Sequence, residues 1–424
     1  MDVAVIGAGI SGLEAARVLA EHHVNVELFE ASDRLGGRIR TLYESMEDLP
    51  VELGPEFVHG DPEILRGLVH EGRIELEEGA DTHYVPCEDG LVEAGDLWQR
   101  FSQLLEPAHH REHDETARAY MRHLHMSPDD AALFGMFVEG FYGANLDAIS
   151  IESVAEDAGG AGGGPSSTVR PRDGYGHLVH WIAKQLETAN VPIHFHNVVR
   201  AVDWHGDEVV LRIRHLGGEH EVSANKVIVT LPVGVLQANA VRFTPSLGDH
   251  ADALSRLAMG QVVKVVLTFR YPVWKDTVDE PVAFIHQPGA TFPTCWIRER
   301  AGSHHVIAWA GGPNAHALAG CSHDEIVGRA IANFASFIDV PLPRVAMAVR
   351  AAYMHDYAAD PFVRGAYSYA RAGGLDAPGI LERPLAGRVF FAGEATSSRY
   401  EGTVTGAVAS GARSAAQILR MRGE

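Results

Sequence analysis

Lysine is nearly missing from this chain. Of 35 basic residues in 424, only Lys184, Lys226, Lys264 and Lys275 are lysines and the rest are arginines, so each lysine asks for a reason. Cysteine is scarcer still. Cys87, Cys295 and Cys321 are far apart and odd in number, which excludes a disulfide framework and shows no metal-ligand spacing. A reducing compartment, the cytoplasm, is the expectation. No apolar run reaches transmembrane length, and no signal-peptide pattern precedes the first strand, so neither a membrane span nor secretion is expected. Acids outnumber bases, and the net charge of −21 argues against nucleic acid as a partner. Such a charge serves solubility first, although it also attracts cations. The hydrophobic content of 46% is enough for a real core, and 424 residues suggest two or more domains, or one large domain with an insertion.

What is present begins at once. An apolar run, Val3–Ile6, enters a turn with Gly7, Gly9 and Gly12, passes Ile10 and Ser11, and continues into a helical pattern of Leu13, Ala16 and Leu19. A second apolar run, 24–29, ends on Glu30, 18 residues after Gly12. This is a βαβ unit of the dinucleotide-binding kind. Gly7 allows the tight turn, Gly9 the approach of a pyrophosphate, and Gly12 close packing of helix on strand. The helix start offers free N–H groups and partial positive charge to phosphate. An acid at position 30 stands where ribose hydroxyls donate. A bare GxGxxG is weak evidence; here strand, helix and acid all stand at the required spacing.

The fingerprint alone does not separate a nicotinamide from a flavin dinucleotide. The next segment does more: Ala31, then Arg34, Leu35, Gly36, Gly37 and Arg38, a second glycine pair with two arginines able to wrap the same pyrophosphate. This string after GxGxxG resembles the FAD-dependent amine oxidases, the group of monoamine and polyamine oxidases. The resemblance recurs in order along the chain: GPEFVHG at 54–60, the strand around Lys264, GAYSY at 365–369 and FAGEAT at 391–396. It implies an α/β fold, with a Rossmann-type FAD-binding domain and an interleaved α+β substrate domain made of a sheet plus a helical insertion. The FAD-binding part is expected at 1–80, 170–236 and 372–424, and the substrate part at 81–169 and 237–371. Helical spacing of Leu97, Phe101, Leu104 and Leu105, and of Phe134, Phe137, Val138 and Phe141, supports the insertion. The histidine-rich piece at 109–113 reads as a solvated loop, since it lacks a clean metal-ligand pattern. The glycine-rich segment 159–168 reads as a linker, with a lid as the alternative.

Three constellations carry the expected chemistry. Lys264 sits in an almost wholly apolar strand pattern; it either points to solvent from an edge, finds a partner, or faces a cavity. The resemblance implies the cavity, where the family's lysine holds a water near flavin N5. The second constellation is the C-terminal segment, with Gly393 and Glu394 on the ribityl-pyrophosphate side. There Thr403 and Val404 open a helix whose N-terminus would face the N1–C2=O edge, where reduced flavin carries negative charge. The third is the run around Ala366 and Tyr367. Monoamine oxidases have a flavin-bonded cysteine where Ala366 stands, so noncovalent FAD is expected.

Tyr367 matches one wall of those enzymes' aromatic cage. The other wall falls on Thr403, as in animal polyamine oxidases and flavin histone demethylases. Tyr357 falls where the demethylases have tryptophan against the flavin. The segment Gly54, Pro55, Glu56, Phe57 would pass beside the flavin ring, and Val199 would meet the adenine. His59, Trp296, Tyr367 and Thr403 are the candidate substrate contacts, Lys264 the catalytic one, and no metal is expected.

The resemblance implies oxidation of the C–H bond next to an amine nitrogen, by hydride transfer to flavin N5. An imine and then a carbonyl product would follow, with O2 reduced to H2O2. The partners would be a small-molecule amine and oxygen. An L-amino-acid oxidase is the near alternative; its relatives place an arginine just after the glycine of the GPEF segment, where this chain has Glu56 and Phe57, although Arg298 or Arg364 could substitute. A non-catalytic flavin-holding interaction protein is the other alternative.

Overall fold

The computed structural model describes residues 1–59, 63–88, 90–95, 97–110, 113–159, 168–277 and 282–423. The linker-or-lid segment at 160–167 and part of the histidine-rich piece, 111–112, lie outside the described residues. The fold is α/β. Its first layer is a five-stranded sheet in the order Val389–Phe391, Lys226–Val229, Val3–Ile6, Val26–Phe29, Ile193–His194. Every neighbouring pair is parallel. The four residues of Val3–Ile6 are all buried, which is why the strand is a continuous apolar run rather than an alternating one. Helices cover the sheet, among them Ile10–Glu21 and the terminal Val404–Arg422. The terminal helix buries Val408, Gly411, Ala415 and Ile418 along one side. Thr403 caps it, its hydroxyl accepting from the Gly406 N–H at 2.9 Å.

A second sheet has seven strands, in the order Val349–Tyr353, Val262–Phe269, Ser303–Gly311, Thr294–Arg300, Phe284–His286, His83–Cys87, Gly90–Glu93. Its pairs are antiparallel except Phe284–His286 with His83–Cys87. Helices Leu97–Leu105, Ala117–His123, Pro128–Tyr142 and Ile151–Gly159 pack together through Phe101, Tyr120, Phe134 and Phe137. The strand Val198–Asp203 belongs to a separate four-stranded sheet. Among the described residues no helix is long and apolar enough to cross a membrane.

Register fixes what faces the cavity. In antiparallel pairing, directly opposed residues share a face. Lys264 opposes Trp309, Trp309 opposes Thr294, and Thr294 opposes His286. The parallel row beside it holds Val266, Ile307, Trp296 and Phe284. One face of the sheet therefore carries a lysine, three aromatic rings, a threonine and a histidine toward the five-stranded layer and the helices.

Candidate active site

Among the described residues, a continuous cavity of about 1010 Å³ runs between the two sheets. Its walls include every residue singled out above for cofactor or substrate except Gly12 and Arg298. Gly12 lies beneath the turn, where a Cβ would stand 2.1 Å from the Gly7 carbonyl oxygen, so it serves helix-on-strand packing. At Gly9 a Cβ would meet nothing closer than the Gly37 Cα at 3.9 Å; it would project into open cavity.

The cradle end is built largely from backbone. The helix Ile10–Glu21 begins at Gly9 with no side-chain cap, and its first turn contains no acid. Its leading N–H groups are therefore available to an anion. The buried Ser11 hydroxyl also lacks a partner within the protein. Glu30 braces the turn, with Oε2 accepting from the Ala8 N–H at 2.7 Å and Oε1 from the Ser32 N–H and hydroxyl at 2.8 and 2.7 Å. The Arg34 guanidinium is spent on its own loop, donating to the carbonyls of Leu35, Gly37 and Ile39. It shapes the second glycine turn, whereas the sequence alone marks it as one of two arginines able to wrap the pyrophosphate. Arg38 reaches across to the C-terminal segment, donating to Glu394 Oε1 at 2.7 Å and the Ala366 carbonyl at 2.9 Å. Glu394 also accepts from the Ser368 hydroxyl at 2.7 Å. Val199 lies on the strand Val198–Asp203 and faces the same cavity. An uncapped helix start, an unpartnered hydroxyl and an open approach at Gly9 fit a dinucleotide.

At the junction of cradle and chamber stands an ion cluster. Lys264 is 5% exposed, so the edge-strand alternative does not hold. Its Nζ donates to Glu56 Oε2 and to the Gly54 carbonyl, both at 3.1 Å, leaving one N–H for the cavity. The Glu56 carboxylate also accepts from Arg170 Nη1 at 2.7 Å and Trp296 Nε1 at 3.2 Å, and Arg298 Nη1 stands 3.5 Å away. Burial alone would raise the Glu56 pKa. The charges of Lys264, Arg298 and Arg170 overcome it and hold the carboxyl well below the usual carboxylate range. The side chain of Glu56 thus serves Lys264 and the arginines rather than reaching for cofactor. Arg298 is also paired with Glu77 at 3.0 Å and does not line the cavity, so it is not placed to take a substrate carboxylate. Arg364 does line it.

The chamber beyond is aromatic. The Trp296 ring lies 5.6 Å from Phe57 and 5.7 Å from Trp309, and Lys264 Nζ is 5.5 Å from the Trp296 centroid. Trp309 lines the cavity alongside Trp296, although the sequence favoured Trp296 alone. His59 packs against Phe57 and Phe141. Tyr367 donates to the Phe141 carbonyl, and Tyr357 to the Arg38 carbonyl at 2.9 Å, so both rings are held at fixed heights in the wall. Burial pushes both phenols up. Glu401 lines the cavity as well, with Oε1 3.1 Å from the Ser368 hydroxyl oxygen; burial, then the nearby Glu394 charge, pushes its pKa up to about 8. Sequence reasoning missed Glu401, Arg170, His83, His286 and Thr294. Glu401 adjoined a recognised motif; the others carried no local signal and are assembled by tertiary pairing.

The family model described as flavin-containing amine oxidoreductase matches residues 10–419. The chain belongs to the flavin-containing amine oxidoreductase family. Flavin, as FAD, is therefore the dinucleotide for which the cradle is built. Among curated proteins the chain is 27% identical to lysine-specific histone demethylase 2 of Homo sapiens, over 98% of this chain and 53% of that protein. It is 28% identical to probable polyamine oxidase 4 of Arabidopsis thaliana, over 97% of this chain and 85% of that one. The chain thus spans about half the length of the demethylase and most of the plant oxidase. Among solved structures, a putrescine oxidase bound to putrescine aligns with a TM-score of 0.83 at 20% identity, covering 99% of both chains. The cyclohexylamine oxidase of Brevibacterium oxydans IH-35A also gives 0.83 at 20% identity, covering 100% of this chain and 99% of the other. These two likenesses establish the shared fold.

Proposed function

We propose that this protein is an FAD-dependent amine oxidase acting on a small-molecule amine with oxygen as electron acceptor, its FAD held noncovalently. Lys264 carries the reading: a buried ammonium on the wall of one continuous cavity, between a dinucleotide cradle and an aromatic chamber, with one N–H still facing inward. FAD, when bound, supplies the acceptor for the hydride from the carbon next to the amine nitrogen and passes the electrons to O2 as H2O2, while the imine hydrolyses to a carbonyl product.

The chain's own residues prepare that chemistry. Glu30, Gly9 and the N-terminus of Ile10–Glu21 hold the ribose and pyrophosphate, and Arg38 with Glu394 locks the C-terminal segment against them. The helix beginning at Val404, capped by Thr403, would turn the positive end of its dipole toward negative charge on the cofactor's ring. Ala366 offers no thiol for a covalent link. Lys264 holds a water with its free N–H, and Glu56 keeps that ammonium fixed. Phe57, Trp296, Tyr357 and Tyr367 exclude bulk water from the amine, and His59 contacts it. The segments 1–80, 170–236 and 372–424 act as the cofactor domain, and 81–169 and 237–371 as the substrate domain.

A peroxide assay over a panel of primary, secondary and N-methylated amines, with L-amino acids and methylated lysine peptides included, tests the reading. Peroxide with small amines supports it. Peroxide only with amino acids would move the assignment to an amino-acid oxidase, with Arg364 as the carboxylate partner to examine. Acid precipitation tests the noncovalent link: the yellow colour should stay in the supernatant, and flavin retained in the pellet contradicts it.

A further inference from the structure

The chamber contains a second polar group that none of the chemistry above uses. At the end of the sheet away from Lys264, four side chains form a hydrogen-bonded chain. Asp81 Oδ1 lies 3.0 Å from His83 Nε2, His83 Nδ1 lies 2.8 Å from His286 Nε2, and His286 Nδ1 lies 3.1 Å from Thr294 Oγ1. His83 and His286 are 8% and 4% exposed, and their rings are within 17° of parallel. Phe284 stacks on His83, and Trp98 meets it edge-on. All four members of the chain line the cavity.

The direction of the chain follows from its ends. A carboxylate can only accept, so the proton on His83 Nε2 points at Asp81. Burial, with His83 beside it, lowers the pKa of His286 to about 3, so His286 carries one proton. With His83 Nε2–H committed to Asp81, the tautomer in which His83 Nδ1 accepts puts the His286 proton on Nε2. His286 Nδ1 is then bare and accepts from the Thr294 hydroxyl. The hydroxyl hydrogen is consumed, and the lone pairs of Thr294 Oγ1 remain for the cavity. The tautomers are set by the network, as they are for any histidine pair.

Thr294 is separated from Lys264 by two strand spacings through Trp309, about 10 Å across the sheet. The floor between them is aromatic. We propose that Asp81, His83, His286 and Thr294 form a distal accepting subsite. It selects amines that carry a second hydrogen-bond donor, a hydroxyl or another amine, at the far end of the aromatic floor from Lys264, about 10 Å across the sheet from it. The proposal rests on the amine-oxidase reading for its substrate and on the histidine chain for its specificity. A methyl group at that end would leave the remaining acceptor capacity of Thr294 Oγ1 without a donor, which is what discriminates.

The test uses the holoenzyme and matched series of alkylamines, ω-hydroxyalkylamines and α,ω-diamines, with chains of roughly five to nine carbons to bracket the span. Activity is read as kcat/KM for peroxide release, and binding by calorimetry on anaerobically reduced enzyme. At the best length, the donor-terminated amine should exceed its methyl-terminated partner by roughly tenfold or more. In Thr294→Val and in His286→Phe that ratio should fall toward one, with FAD content retained as the check on folding. Diamine and amino alcohol favoured alike would mean recognition of the donor; the diamine alone would mean recognition of charge and would overturn the accepting-oxygen assignment. A parent ratio near one at every length sinks the subsite, as does a ratio that survives both substitutions. If no member is oxidised, the amine-oxidase reading fails, and the calorimetric preference still decides the subsite by the same criterion.

Discussion

The cradle and the chamber share one cavity but are written into the chain in different ways. The cradle recognises its ligand largely with backbone: an uncapped helix start, glycines that clear the approach, and an acid that braces the turn. Such a device needs contiguous residues, and most of it lies within residues 3–40. The chamber works with side chains drawn from remote segments of the chain. Glu56, Arg170, Lys264, Trp296 and Arg298 meet at one carboxylate. Local sequence specifies the first kind of site; sheet register specifies the second.

Breaking the chamber should therefore cost most where its contacts converge. Glu56→Ala leaves Lys264, Arg170 and Arg298 around an empty position. The loss of a buried partner of this kind costs about 3–5 kcal/mol. The expected outcome in chemical denaturation is a large fall in stability at neutral pH. Glu56→Gln, which keeps the shape and loses the charge, should recover only part of it. A change under about 1 kcal/mol would show that solvent already screens the cluster.

Lys264→Met comes next. The substitution leaves Glu56 with two arginines and Trp296, and methionine suits the apolar strand, so the variant should fold and retain FAD. Stopped-flow spectroscopy should show flavin reduction by amine, reoxidation by oxygen, or both slowed by about 10²-fold, the scale for removing one preorganised electrostatic group. Equal rates in both half-reactions would reduce Lys264 to a structural ion-pair partner.

How far the site could be read in advance follows the same division. The parallel sheet, the helical layer, the helix opening at Thr403 and the cavity position of Lys264 were legible, because periodicity, glycine spacing and family motifs are local. Glu56 stood inside a recognised motif, yet its partners were not legible. Arg170 and Lys264 lie 114 and 208 residues away from it, and no spacing rule joins them. Arg298 was legible only as a cation, and its pairing with Glu56 and Glu77 removes it from carboxylate duty. His83 and His286, 203 residues apart, are joined only because Phe284–His286 pairs in parallel with His83–Cys87.

Glu30→Ala sharpens the comparison from the cradle side. It removes three hydrogen bonds, one from the first turn at Ala8 and two from Ser32, besides the acceptor for a ribose. The expected effect is a loss of FAD affinity worth about 1–3 kcal/mol, with the protein purified flavin-poor. Fluorescence titration of the apoprotein with FAD measures it directly. Unchanged affinity would mean that the backbone alone supplies recognition. That would make the cradle even less dependent on side chains than the hydrogen bonds imply.

The smallest effect separates two glutamates seven residues apart. Glu394, on the cradle side, is paired with Arg38 at 2.7 Å, whereas Glu401 faces the chamber and lies in hydrogen-bond contact with the Ser368 hydroxyl. Burial and the Glu394 charge raise the Glu401 pKa from 4.5 to about 8. Below pH 4.5 the carboxyl is protonated in folded and unfolded chains alike. Between 4.5 and 8 the folded protein keeps a proton that the unfolded chain has released, so unfolding releases a proton and stability falls as pH rises. Glu401→Gln is neutral throughout and should lose this part of the slope. Relative to the parent, its stability should gain about 1–2 kcal/mol between pH 5 and pH 8, a fraction of the full linkage because the carboxyl partly faces the cavity. Urea denaturation across that range measures the difference, with the other titrating groups cancelling between the two proteins. A parallel pair of curves would mean that the cavity hydrates Glu401 in the folded state and that its neighbour's charge is not felt. An inverted difference would mean that a cation reaches it from the chamber.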